Sequence, residues 1–448
     1  MWGFITVMND FLINTFSEEF QLTAIELSKI QLTFFGAFFF LSLLYFILSN
    51  VFKRDPINFI GYKNGMSIAL LICGIGASNF YFAAEAESYN QFIASLFILA
   101  AGVTLLQICA NPYVAILGSE DSASKRLNLA QGLNSLGTTI GPIIGLLMVY
   151  ILFSNQETLE AIGSTYLIYG VVFILMAILV KLSKLPAFTN EEKIERGFGV
   201  LKHRNLKFGI LAIFFYVGCE VAVGSWIGKF AKDPSVMGVS TEAASSFLAF
   251  FWGGLMIGRM MASVALNQEK TELRKNVEMI CISLGLFIFI WLVNGIKVDG
   301  GVLDFEMLSI KEVSIYFLFL IINFFAFKLS KGKPNSMIVI FSSINLILLL
   351  LGVFAAGEVA FWSVLGTGLF FSVGWSNIFS LSIKGLGKLT SQGSALLIMA
   401  IVGGGLIQYF QAYILDEKNV QPSFLIPAIG MIYLIFFGIN GYKKKLEN

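Results

Sequence analysis

Two carboxylic acids stand alone inside long apolar stretches: Asp10, six residues after Phe4, and Glu220, six residues after Phe214. A charged side chain near the middle of a bilayer costs roughly 2.5 to 3.5 kcal/mol on insertion scales, so both acids are expected to face a protein interior or a wet cavity. Burial disfavours the charged form of a carboxyl group, and an acid held that way can take a proton from one side of a membrane and release it on the other. Asp10 and Glu220 are therefore candidate proton-coupling groups. The plainer alternative is a hydrogen-bonded acid that pins two helices together.

Uncharged amides form the second group. Gln107 and Asn111 are four residues apart, one face of a helix, and Pro112 follows directly. Proline cannot donate to the carbonyl of Ile108, and in lipid a freed carbonyl is tolerated only where protein or cavity water satisfies it. The next apolar stretch carries Asn128, Gln131, Asn134 and Ser135 about every turn, interleaved with Gly132, Gly137, Gly141 and Gly145. The glycines fit close helix packing, and the amides fit either cavity lining or helix-to-helix glue. Asn and Gln both give and accept hydrogen bonds, as each hydroxyl of a sugar does, and an aromatic face can cover the apolar side of a pyranose ring. Gln107, Asn111, Gln131, Asn134 and Asn377 are thus candidate substrate-binding groups, with Trp375 as a candidate platform beside Trp226 and Trp252. A phosphate or carboxylate ligand would call for a deep Arg or Lys, and Arg259, placed at the end of an apolar run, does not suit that role.

These side chains need helices that cross a membrane. Of 448 residues 57% are hydrophobic and only 13% are charged, with mean hydropathy +0.80, too few charges to coat a water-soluble body. A span needs roughly 20 mainly apolar residues. That measure gives fourteen candidates, at about 1–16, 29–50, 65–84, 91–117, 127–153, 163–181, 207–230, 243–266, 276–296, 312–328, 335–355, 359–382, 390–414 and 422–441. With the N-terminus in the cytoplasm, 24 Lys and Arg fall on inner loops and 6 on outer ones, which satisfies the positive-inside rule and returns the C-terminus to the cytoplasm. The first stretch has neither a basic start nor a small-residue cleavage site, so a span beginning upstream of Met1 fits it better than a signal peptide.

Other chemistry is poorly supported. A formal charge of +2 gives no nucleic-acid footprint. Cys73, Cys109, Cys219 and Cys281 lie singly in apolar runs, and the one histidine, His203, sits in a basic loop, so no metal site, cofactor site or catalytic triad is expected. No GxxxxGK[ST] motif is present to cradle ATP phosphates. A polar stretch at 182–206 separates an N-terminal bundle, 1–181, from a C-terminal one, 207–448. The two open alike, and Asn111-Pro112-Tyr113-Val114 and Asn377-Ile378-Phe379-Ser380 hold comparable places before Gln131-Gly132 and Gln392-Gly393. Weak internal symmetry of this kind accompanies duplicated transporter halves.

Several segments resemble the fucose–galactose–glucose:proton symporters of the major facilitator superfamily. They are Trp2-Gly3-Phe4-Ile5-Thr6-Val7-Met8-Asn9-Asp10, Leu106-Gln107-Ile108-Cys109-Ala110-Asn111-Pro112-Tyr113-Val114, Arg126 to Gln131, Asn134-Ser135-Leu136-Gly137, Tyr216 to Ala222, Phe251-Trp252-Gly253-Gly254 with Gly258-Arg259, and Lys384 to Ser394. The resemblance implies an all-α polytopic membrane protein built of two six-helix bundles, alternating access to a central site, and proton coupling through Asp10. Fucose transporters carry a glutamate where this chain has Gln107, whereas the glucose/galactose branch has Gln, which leans the substrate towards an aldohexose. Trp375-Ser376-Asn377-Ile378-Phe379 departs from the family's Phe-Pro-Thr-Ile-Phe. Twelve spans are usual, so the pair at about 276–328 is expected to be an added peripheral hairpin that does not line the pathway. The expectation is a monomeric sugar:proton symporter of a bacterial inner membrane, with a proton gradient as its energy source and no cofactor. An uncoupled facilitator, a sodium-coupled symporter and an exporter of another small polar solute are the alternatives.

Overall fold

The computed structural model describes residues 2–21, 24–186, 188, 199–299, 302–414 and 420–442, with backbone alone at 9–15, 17–18, 24–29, 241–242, 298–299 and 414. The fold is almost entirely helical, because a backbone that crosses lipid must satisfy its own N–H and C=O groups. Thirteen helical spans among the described residues are long and apolar enough to cross a membrane.

The N-terminal half holds α1 (Trp2–Glu19), α2 (Ala24–Phe52), the short α3 (Pro56–Ile60), α4 (Tyr62–Glu85), α5 (Tyr89–Ile116), α6 (Ala123–Leu146) and α7 (Thr158–Leu182). The C-terminal half holds α8 (Arg204–Lys232), α9 (Thr241–Ala265), α10 (Glu272–Asn294), α11 (Ile310–Ser330), α12 (Pro334–Phe354), α13 (Gly357–Phe371), α14 (Gly374–Ile383), α15 (Thr390–Met399), α16 (Gly403–Ile414) and α17 (Leu425–Phe436). Between α10 and α11 lies a two-stranded antiparallel hairpin, β1 (Ile296–Asp299) on β2 (Val302–Phe305), with Ile296 opposite Phe305. The polar stretch between the halves is described only in part, and residues 189–198 lie outside the described residues. Its start is tied to the first half, where Lys63 donates to the Ser183 carbonyl (2.5 Å) and Tyr113 to that of Pro186 (3.1 Å).

Packing exposes a duplication. In the first half α4 lies on α5 and α7, α2 on α5, and α1 on α6; in the second α12 lies on α13 and α17, α9 on α13, and α8 on α16. The match sets α1 against α8, α2 against α9, α4 against α12, α5 against α13–α14, α6 against α15–α16, and α7 against α17. It leaves α10 and α11 over as the additional pair. Both begin earlier than the hydropathy boundaries at 276 and 312. Thr271 accepts the Arg274 N–H, and Ser309 forms a reciprocal capping box with Glu312, so polar first turns are helical too.

Two other expectations change. The apolar run at 359–382 is not one helix: α13 ends at Phe371 and α14 starts at Gly374. Trp362, near the start of that run, where an aromatic is expected to anchor at the membrane interface, is only 4% exposed and packs edge-on against Phe361 and Phe247. The cause is a span that protein encloses almost wholly.

Candidate functional site

The halves meet where α6 lies along α9 and α14, and where α15 lies along α2 and α5. The approach of α6 to α9 depends on Gly132, where a methyl group would lie 2.5 Å from the Met260 sulfur. Most of the amides singled out in the sequence are gathered at this seam. Gln131 of α6 reaches the Asn111 side-chain oxygen on α5 (3.5 Å), and Gln107 shares the face of Asn111 one turn earlier. All three are buried, and the Asn111 amide nitrogen has no hydrogen-bond partner. Asn128, a turn before Gln131, donates across the seam to Asn377 of α14 (3.1 Å). Asn377 is fully buried, and its own amide nitrogen contacts the Met337 sulfur at 3.6 Å. Trp375, on the same short helix, stacks on Phe379 with ring centroids 4.9 Å apart.

Asn134 is engaged differently. Its side-chain oxygen accepts the Gly3 N–H (2.7 Å), and a methyl group at Gly3 would lie 2.5 Å from the Asn134 carbonyl oxygen, so this amide docks α1. α1 carries Asp10, whose side chain lies outside the described residues. The duplication nevertheless fixes its register. Phe4 lies against Gly137 of α6, where a methyl group would be 3.1 Å from the Phe4 nitrogen, and Phe214 lies against Gly403 of α16 in the same manner. Asp10 and Glu220, each six residues further on, hold equivalent positions on α1 and α8.

Glu220 has a cationic neighbour. Arg259 of α9 places Nη2 3.7 Å from a Glu220 oxygen, donates Nη1–H to Ser135 of α6 (2.7 Å) and Nε–H to the Ser372 carbonyl (3.4 Å). The sequence puts Arg259 at the end of an apolar run; the structure buries it to 7% exposure, because its long stem lets the guanidinium reach inward to Ser135. The other Glu220 oxygen is buried without a partner. One guanidinium thus ties α8, the first helix of the second half, to α6, the fifth span of the first half.

The carbonyl freed by Pro112 is also satisfied across the seam. Ser394 of α15 donates to the Ile108 oxygen at 3.3 Å. From there to the face carrying Lys53, Lys125, Lys270 and Lys384 the halves are joined repeatedly: Ser124 with Ser380 (2.5 Å), Tyr62 with Ser391 (2.7 Å), Gln392 with Ser49 (2.7 Å), Asn58 with the Lys388 carbonyl (3.1 Å), and Lys384 with Asp121 (2.9 Å). Asp55 organises the loop that supplies Asn58. Its Oδ1 accepts Tyr45 O–H (2.5 Å) and the N–H groups of Ile57 and Asn58, which starts α3. Burial raises this carboxyl from 3.8 to about 6, against hydrogen bonds from Tyr45 and the two N–H groups that lower it.

Sequence reasoning missed Arg259, Ser394, Asp55 and the Asn128–Asn377 pair. A lone arginine with apolar residues on both sides was a readable signal; the cross-seam partners were not, since the register between halves is invisible in one chain. Among the described residues no group of three or more His, Cys, Asp or Glu could hold a metal ion, and all four cysteines are free.

Known proteins share this architecture. The Major Facilitator Superfamily model matches residues 2–356. A glucose/galactose transporter of Brucella abortus is 34% identical over 451 residues, covering 99% of this chain and 92% of that protein. A putative glucose/galactose transporter of Helicobacter pylori is 32% identical, covering 99% and 95%, and the L-fucose-proton symporter of Escherichia coli is 25% identical, covering 98% and 90%. The crystal structure of FucP, a Major Facilitator Superfamily transporter in the outward conformation, aligns with a TM-score of 0.71 at 25% identity over 99% of this chain and 96% of that one. With two duplicated six-helix halves closing on a buried polar seam, and relatives matched from end to end, this chain belongs to the Major Facilitator Superfamily.

Proposed function

We propose that the chain carries a neutral monosaccharide, an aldohexose such as glucose or galactose, inward together with a proton, by exposing a site between its halves to one side of a bacterial inner membrane and then the other. The observation that carries this reading is the seam of buried uncharged amides, Gln107, Asn111 and Gln131 on one half and Asn377 on the other, with a carboxylic acid at the equivalent place on the first helix of each half. Such amides both give and accept hydrogen bonds, as sugar hydroxyls do, and the buried Arg259 at the seam is already engaged by Glu220, Ser135 and the Ser372 carbonyl rather than offered to an anion. The names of the glucose/galactose relatives support the substrate class, as does Gln107, where the resemblance to the fucose branch would require a glutamate.

In this reading Asp10 takes up and releases the transported proton, and Trp375 covers an apolar face of the sugar. Protonating Glu220 would release Arg259, and with it the Ser135 contact between halves. The basic face is cytoplasmic by the positive-inside rule, with both termini on that side. The hydrogen-bonded closure along that face then corresponds to an outward-open state. Purified protein in proteoliposomes tests the proposal. An imposed inward proton gradient should drive hexose accumulation, and Asp10→Asn should abolish accumulation while retaining exchange of labelled for unlabelled sugar. Accumulation driven by sodium alone, equilibration without accumulation, or net export would each replace the coupling, and no flux of any hexose would sink the reading.

A further inference from the structure

The span formed by α13 and α14 is interrupted at Ser372 and Val373, near its middle, and the carbonyls left over by the break are served by side chains. Tyr216 of α8 donates to the Phe371 oxygen (2.7 Å), and Arg259 of α9 to that of Ser372 (3.4 Å). The Leu369 oxygen accepts from Ser372 Oγ (2.7 Å) and from Asn323 (3.1 Å). Asn323 lies on α11, in the additional pair, and is fully buried.

That pair is seated closely. A methyl group at Gly366 of α13 would lie 2.5 Å from the Phe319 ring of α11, one at Gly254 of α9 2.7 Å from the Tyr316 hydroxyl, and one at Gly253 2.6 Å from Ile290 of α10. Tyr316, seven residues before Asn323 and on its face of α11, donates to the Phe250 carbonyl (3.0 Å). Small residues thus bring α10 and α11 near enough for side chains to reach neighbouring backbones.

We propose that α11 of the additional pair holds the broken span open through Asn323, and so positions Trp375 and Asn377 of α14 at the substrate site. In an intact helix the Leu369 carbonyl would accept the Val373 N–H; a donor from outside competes with that bond and favours the break in the ladder. Asn323 is a positioning residue, since its one side-chain hydrogen bond among the described residues runs to backbone one turn before the break, and the turn sets the direction in which α14 leaves. The substrate arm of this proposal rests on the sugar-transport reading above; the structural arm does not.

The test compares Asn323→Leu, similar in size and without a donor, with Tyr316→Phe, which removes the other buried donor of the same helix face without touching the break. Trp375 is the reporter, in a background whose other five tryptophans are phenylalanine. Asn323→Leu should shift Trp375 emission and raise the KM for hexose exchange roughly 3- to 10-fold, the range of one buried hydrogen bond, with the maximal rate little changed. Tyr316→Phe should leave both at parent values. If Asn323→Leu does not reach the membrane, Asn323→Ser, too short to reach the carbonyl, carries the same expectation. Parent-like emission in the Asn323 variant, or an equal shift in Tyr316→Phe, would overturn the proposal in favour of simple helix glue. A shift in emission in a protein that moves no hexose would sink the sugar reading alone.

Discussion

Arg259 joins three helices through one guanidinium, and removing it should be felt at each of them. A buried charge that loses its partner costs about 3 to 5 kcal/mol, whereas replacing both members of a pair with apolar groups is often neutral or stabilising. Arg259→Met should therefore lower thermal stability strongly by leaving Glu220 alone in a buried site, and Glu220→Leu with Arg259→Met should recover most of the loss. Melting temperatures of purified single and double variants decide this; a double variant no better than the single would show that the Ser135 and Ser372 contacts, rather than the ion pair, matter most. Legibility at this scale was uneven. Gln107, Asn111 and Gln131 could be picked from the chain because an amide in an apolar run needs a partner. That Asn134 serves α1, and that Asn128 rather than Asn134 meets Asn377, depends on helix rotation, which hydropathy does not encode.

Among the elements, the loop between α2 and α4 carries a titration. Asp55 is raised to about 6 by burial, so its acid form is favoured in the fold. A group raised in this way contributes its full stabilisation below its unfolded value, about 4, and loses it as pH climbs through about 6. Asp55→Asn can still accept from Tyr45 and the two N–H groups, so it should be more stable than the parent above about pH 6, with the advantage shrinking towards about pH 4. Parallel melting profiles for variant and parent across that window would refute the assignment. The same loop shows what sequence could give at this scale. Asp55-Pro56 is a visible helix start, with a capping acid and proline at the first position. The break at Ser372 was not visible, because the run at 359–382 carries no proline or charged residue to mark it, and the donors that stabilise the break come from three other helices.

The whole molecule is a duplicated frame with one addition, and closure along its basic face is a set of bonds that the proposed alternation would have to break. Lys384 and Asp121 are the outermost of these, and both are accessible. Cysteines at these two positions, in a background where the exposed Cys281 is serine, should be bridged by a short bifunctional thiol reagent. Bridging should arrest hexose exchange, and a reducible bridge should restore it on reduction; exchange that continues at the parent rate while the bridge is intact would show that this face does not open. The duplication itself was partly legible, as the shared spacing of Phe4 to Asp10 and Phe214 to Glu220 and the surplus of two spans. Where the surplus docks was not, since its outward surface, with Ile280, Leu284, Ile288 and Phe325 exposed, looks like that of any lipid-facing helix.

Six spans on one side, α1 included, and eight on the other, with α13–α14 and α15–α16 each counted once, also make the molecule lopsided in the plane of the bilayer. Two bodies that turn against each other in a viscous sheet share the rotation in inverse proportion to their friction, and the larger one has the longer lipid perimeter. The eight-helix side should act as the stator and the six-helix side as the rocker. Polarised emission from rigidly attached dyes, one on each side, would register unequal tilts of this kind.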